Sequence, residues 1–376
     1  MNRLKQAYWI FALTVVFLFA PCAISYAQEH DDNTSAETTM AETENDLDLG
    51  EIIFGHLGDS YEWHITDIGD TRLALPLPVI VYSRQSGWHC FLSSRFEEAE
   101  EEHGEGADVE GLMIAHGGDH DGKIVEMVNG VQQRPLFDIS ITKNVMSLFI
   151  NVLLLIVIIL GVARWYKGKK PGDAAPKGFV GLMEMFIMSV ENDIIRPCVG
   201  KDYKRYSPYL LTAFFFIFFS NLMGLVPIFP GGANLTGNIA ITMVLALMTF
   251  LIVNFGANKH YWKDIFWPDV PTWLKCPVPL MPVIELFGVF TKPFALMVRL
   301  FANILAGHSI ILSLVCIIFV TSKFGAAVCG GMTFVSVVLS LFMNMLELLV
   351  AYIQAYVFTM LSSVFIGMSR EGGHEE

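Results

Sequence analysis

"FALMVRLFANILAGH", residues 294–308, is apolar at both ends and carries Arg299 near its middle. In a segment long enough to sit in a bilayer, a mid-helix arginine costs roughly 2.5–3.5 kcal/mol on insertion scales, so its charge must be met by something nearby. The apolar run around it extends from "PVPLMPVIELF" to "CIIFV", about 277–320, and a second runs from "MTFVSVVL" to "VFIGM", 332–368. As helices, each is on the order of 55–60 Å long, nearly twice a hydrocarbon core of about 30 Å. No turn cluster interrupts either run, and only Gly288 and Pro293 offer a bend in the first. Two long, steeply inclined crossings packed as a hairpin is the reading that fits.

Three shorter runs precede them: 145–163, 209–229 and 239–257, each long enough to cross once. The chain has 376 residues, 53% hydrophobic and only 16% charged, against about a quarter charged in soluble domains. The fold class is therefore an all-α polytopic membrane protein with five crossings. The net charge of −13 is concentrated in the first third, which disfavours nucleic acid as a partner. The "FFFIFFS" run is expected to face lipid. "FVGLMEMFIMSVENDII" reads as an amphipathic helix on the membrane surface.

Residues 1–27 have the layout of a signal peptide: Arg3 and Lys5, an apolar run, then "SYA" before Gln28. Residues 28–140 are expected to be exported, acidic and partly disordered. Within them "YEWHITDI", "LPVIVYS", "WHCFLSS" and "KIVEMV" read as strands, interrupted by the acidic run 97–110 and by "HGGDHDG". His116, Asp119, His120 and Asp121 have ligand chemistry but no fixing spacing, so a solvated loop is the stronger reading and no metal or cofactor is expected. Cys90 is the one cysteine of this region; its only pairing open on the same side is with Cys329.

Loop charges set the orientation. The stretch 164–207 holds nine Lys/Arg and belongs inside by the positive-inside rule, as does 258–276, and the chain then ends inside with "SREGGHEE", whose last six residues, 371–376, form the tail. The uncharged loop 230–238 belongs outside. Five crossings in a domain spanning 141–370 then begin outside, in agreement with the signal peptide.

The polar residues of the two long runs are few. Glu285, Lys292, Arg299 and Asn303 fall within roughly 40° of one another on an ideal helix, while His308 lies off that stripe. In the second run Glu347 and Gln354 share a face, with Asn344 a turn away. With the helices antiparallel and Arg299 level with Gln354, His308 and Glu347 lie about 13.5 and 10.5 Å nearer the outside, close to one depth. Such a pair suits a proton relay. Glu285 lies about 21 Å from Arg299 along the axis. Arg299 thus lacks a carboxylate partner in its own chain, and the counter-charge is expected from another subunit. Lys292 is expected to reach the inner interface, and Tyr352 and Tyr356 to serve packing.

"RLFANILAGH", "LELLVAYIQAYVFTML", "FSNLMGLVP" and "PVPLMPVIEL…TKPFALMVRLF" resemble, in order, motifs of subunit a of the F-type ATP synthase, over roughly 145–370. The resemblance implies a non-catalytic proton-channel stator. Arg299, Asn303, His308, Glu347, Gln354 and Glu285 are the residues onto which the family's translocation positions fall, with His308 and Glu347 exchanged relative to bacterial relatives, as in the mitochondrial form. It implies a ring of c subunits, b-type peripheral stalk subunits and the remaining ATP synthase subunits as partners, in the bilayer of a bacterial inner membrane. The rival classes are a secondary transporter, which calls for paired repeats and a polar pocket, and a receptor or assembly factor, which leaves Arg299 unexplained.

Overall fold

The computed structural model describes residues 58–68, 71–84, 86–103, 108–115, 120, 122–128, 131–169, 175–226, 231–232, 235–266, 280–321 and 326–370. The signal-peptide and disorder readings, the Cys329 side chain and most of the "HGGDHDG" stretch lie outside the described residues and side chains. The chain divides into two compact units, one running through Ile150 and including Val226–Leu235, the other built from Asn151–Leu225 and the chain from Thr236 onward.

The first unit is β-rich. β1 (Glu62–Ile68) and β2 (Thr71–Pro76) form an antiparallel pair with a bulge between His64 and Thr66. β3 (Pro78–Ser83), β4 (Gly87–Leu92) and β8 (Phe137–Asp138) form a sheet in the order β4-β3-β8, and β5 (Leu112–Ile114), β6 (Ile124–Val128) and β7 (Val131–Gln133) a third in sequence order. The four strands read from the pattern are present. The acidic run, expected as a gap, begins instead as the helix α1 (Ser94–His103). Its anchor is Phe96, which enters the core with Tyr61, Val79, Val81, Phe91 and Leu112 and outweighs the solvating glutamates around it. Tyr61 is buried there and donates to Asp138 Oδ2 at 2.5 Å. Burial, with the Asp138 charge second, pushes its phenol far up.

The second unit carries the membrane helices. Five helical stretches are long and apolar enough to cross a membrane. The first, α2 (Lys143–Tyr166), runs on from the β-rich unit. α3 (Phe179–Ser189) passes into a π-helical segment, Val190–Ile195, and a short turn, Arg196–Val199. α4 (Tyr203–Leu225) and α5 (Ile239–Gly256) follow; Asn238 caps α5 by accepting from Ala240 N at 2.9 Å. After α6 (Lys259–Phe266) come α7 (Leu280–Thr321) and α8 (Ala326–Arg370), each one uninterrupted helix; α7 passes Gly288 and Pro293 without breaking. Their 42 and 45 residues confirm the overlong hairpin.

α8 packs on α4 and α7, and α7 also on α5. The buried face of α8 is built from small residues, Ala351, Ala355, Thr359, Ser362 and Ser363, which bring backbones close. Gly367 takes this furthest: a Cβ there would run into the Cys198 carbonyl oxygen. Two readings of apolar surface need correction. Phe214, Phe215, Phe216 and Phe218 are buried, not lipid-facing, because α4 is covered by α8 and by the π segment. The stretch 179–195 also spends part of its apolar face on protein: Met183, Val190, Ile194 and Ile195 are buried, and the Phe186 ring meets Phe218 and Tyr352. Tyr352 and Tyr356 are packing residues, as expected.

Candidate functional site

Side chains buried along α7 recur every fourth residue, at Leu296, Leu300 and Ile304. Such a row is inclined to the helix axis and follows a crossing partner helix. His308 is its next member. This explains how a residue off the Arg299 stripe still reaches α8: His308 Nδ1 is in close hydrogen-bond contact with Glu347 Oε1. Glu347 is buried and its Oε2 has no partner among the described residues. The expected meeting of imidazole and carboxylate is present. Isolated in an apolar setting, a carboxylate or an imidazolium is costly, whereas the pair can share one proton at much lower cost.

Gly307 was not singled out by sequence reasoning. A Cβ at that position would lie 3.1 Å from Glu347 Oε1 and 3.3 Å from its Cδ, so the missing side chain is the space the carboxyl occupies. A glycine directly before a polar residue in an otherwise apolar helix was the available signal.

One turn back along α7, Asn303 Nδ2 donates to Gln354 Oε1 at 3.2 Å, and Gln354 is buried. Gln354 therefore faces Asn303, and Arg299 sits one turn nearer the start of α7 than the assumed level; the slanted crossing of the helices accounts for the offset. Lys292 lies over the Phe365 ring at 5.6 Å. Glu285 is half-buried near the start of α7. The Tyr261 phenol on α6 is pushed up by burial and, second, by the Glu285 charge. Asn344 is exposed and bonds back to Ser340 O at 3.0 Å.

Arg299 is exposed on α7 and has no hydrogen bond or ion pair among the described residues. The neighbouring positions Phe294 and Val298 are exposed too, so the guanidinium sits in an apolar outer surface of the hairpin. Further polar groups approach α8 from α4: Asn221 donates to Ala351 O at 3.4 Å and accepts from Thr236 Oγ at 2.5 Å. Asn151 on α2 donates to Ser220 at 2.5 Å. The arrangement can hold a proton at the His308–Glu347 pair and present a permanent cation to whatever lies against α7. Among the described residues no cluster of His, Cys, Asp or Glu is arranged to hold a metal, and Cys90 is an exposed free thiol.

A family model described as ATP synthase A chain matches residues 145–367. A second, described as Domain of unknown function (DUF8433), matches residues 52–139. The chain is 42% identical over 253 residues to ATP synthase subunit a 2 of Chlorobaculum tepidum, covering 64% of this chain and 67% of that one. It is 42% identical over 239 residues to ATP synthase subunit a of Chloroherpeton thalassium, covering 62% and 67%. For ATP synthase subunit a of Chlorobium phaeobacteroides the identity is 41% over 246 residues, with 64% and 67% covered.

Proposed function

This chain belongs to the ATP synthase A chain family, and from that membership we propose that it is the proton-translocating stator subunit of the synthase's membrane sector. It is a multi-pass membrane protein that works with the other ATP synthase subunits. Its own role is non-catalytic: it moves protons, and ATP chemistry belongs elsewhere in the complex.

The partner facing Arg299 is a ring of small helical c subunits, each bringing a carboxylate past the guanidinium. Arginine stays protonated, so it attracts that carboxylate and favours proton loss without relaying the proton itself. Two offset half-channels follow. Protons reach the ring from outside past the His308–Glu347 pair, with Asn303 and Gln354 beside the path, and leave on the inner side near Glu285. Arg299 stands between the two routes, so a proton crosses only if the ring turns. Each proton moving through about 100 mV supplies roughly 2.3 kcal/mol, which makes several per ATP necessary and suits a rotating ring. The b-type stalk subunits hold the stator against that torque. The orientation drawn from loop charge puts the N-terminal region on the periplasmic side of the inner membrane and the C-terminus in the cytoplasm.

The observation that carries this reading is Arg299: exposed, unpartnered among the described residues, and flanked along its helix by exchangeable groups on both sides. The test is proton pumping and ATP synthesis by isolated membranes carrying Arg299→Ala, with sodium varied. Coupled synthesis is expected to vanish at every sodium concentration. Synthesis at the normal rate in that variant sinks the proposal.

A further inference from the structure

The sheet β4-β3-β8 has two unlike faces. Val79, Val81 and Phe91 enter the core, whereas Trp88, Leu92 and Phe137 are exposed at 63%, 49% and 47%. Register sets Tyr82 between Trp88 and Phe137, with ring centroids 5.1 and 6.4 Å away. Ile139, also exposed, extends the same face beyond β8. A contiguous aromatic and aliphatic surface of this kind marks an interaction site.

The way this sheet joins α2 identifies what covers it. The chain beyond β8 stays bonded to β3, through Ile139 N to Ile80 O at 2.9 Å and Ile141 N to Pro78 O at 3.0 Å. Two residues later α2 begins, and its first turn is tied back by Lys143 N to Ser60 O at 2.8 Å and Asn144 N to Asp59 Oδ1 at 3.0 Å. The sheet and the opening of α2 belong to one compact unit, with no slack between them. Further along α2, Leu153, Val157 and Leu160 are exposed at 63%, 60% and 62%, as lipid-facing positions of a crossing helix are. The bilayer that α2 enters is therefore within reach of the sheet. Trp, Tyr and Phe are also the side chains that favour the zone between headgroups and hydrocarbon.

We propose that the Trp88–Tyr82–Phe137 face of the β-rich region lies on the leaflet where α2 enters the membrane, with its rings at headgroup level. The sheet lies along the surface, not upright. β3 has six residues and is about 20 Å long, whereas the interfacial zone on each side of the bilayer is only about 5–7 Å deep. An upright sheet would leave the aromatic end in water. The claim rests on α2 crossing the membrane and is independent of proton translocation.

Cys90 offers a probe, being exposed and paired in register with Ile80 on this face. A nitroxide at Cys90, with the other five cysteines replaced by serine, is examined by power saturation in the whole complex reconstituted in phosphatidylcholine–phosphatidylglycerol nanodiscs. The ratio of oxygen to nickel-chelate accessibility is expected to exceed, by at least severalfold, that of a label at the exposed Glu98 (Glu98→Cys). Adding Trp88→Glu with Phe137→Glu is expected to bring the ratio down to the Glu98 value while the complex still assembles. Nickel accessibility at Cys90 equal to that at Glu98 overturns the proposal. So does shielding from both reagents, the signature of a protein cover, or a ratio the double variant leaves unchanged.

Discussion

Arg299 on α7 and Arg370 at the end of α8 belong to one hairpin and are provided for in opposite ways. Arg370 donates to Asp202 through Nε at 3.0 Å and more closely through a terminal nitrogen, and to the Gly256 carbonyl at 3.1 Å. It thereby caps the last turn of α5, while Asn258 bonds back to the Arg370 carbonyl at 2.8 Å. Three segments, α8, the turn at Asp202 and the end of α5, meet at that one guanidinium. Arg299 has an exposed guanidinium and no such acceptors among the described residues. A satisfied arginine holds a structure together; on the proposed function, the unsatisfied one on an apolar surface serves a partner outside the chain.

The comparison predicts that the two arginines fail differently. Arg299→Ala should lower coupled ATP synthesis by more than about 100-fold, the loss expected when an electrostatic contribution of about 3 kcal/mol is removed. Thermal unfolding of the assembled complex should hardly move. Arg370→Ala should do the reverse: proton pumping persists, and the charge-assisted bonds lost lower stability by about 1.5–3 kcal/mol, read as an earlier melting transition. If Arg370→Ala abolishes pumping at unchanged stability, the contrast is wrong.

The paired site sharpens the contrast from the other side. His308→Glu and Glu347→His should each lose most activity, and the two together should recover part of it, because the contact between α7 and α8 is restored with its ends exchanged. Equal loss in all three removes the case for a working pair. A smaller effect is expected of Gly307→Ala, whose methyl reaches 3.1 Å from Glu347 Oε1. Displacing the carboxyl by a few tenths of an ångström should slow proton uptake by about tenfold, or about 1.4 kcal/mol.

The smallest effect belongs to the β-rich region. The His89 hydrogen bond first, and Arg95 second, hold the Glu110 carboxyl below its ordinary value of 4.5. A depressed carboxyl stabilises the fold at neutral pH, and that contribution fades as pH falls below the ordinary value and through the folded one. Glu110→Gln should therefore lower the region's melting point slightly at neutral pH, flatten the acid side of its pH–melting profile and leave the lowest pH nearly unaffected.

Much of this was legible in the sequence because the membrane restricts the alternatives. Run length gave five crossings, and the two longest came out as the continuous helices α7 and α8. Antiparallel arithmetic brought His308 to Glu347. What it missed were matters of which face meets what. The phenylalanines of α4 are as apolar as lipid-facing ones, and only the small residues of α8 opposite them reveal that protein covers them. Gly307 matters for a side chain it lacks, and its place directly before His308 in an apolar run was the one sign of it. Phe96 turned a run of glutamates into a helix through a single buried ring.

The exposed guanidinium also bears on how the complex is built. On the proposed function, a newly inserted copy that has not met its rotor holds that charge against acyl chains, at a cost of roughly 2.5–3.5 kcal/mol that docking would relieve. An unassembled copy would then differ from an assembled one by a single unmet charge on its apolar surface, a physical handle by which the two could be told apart.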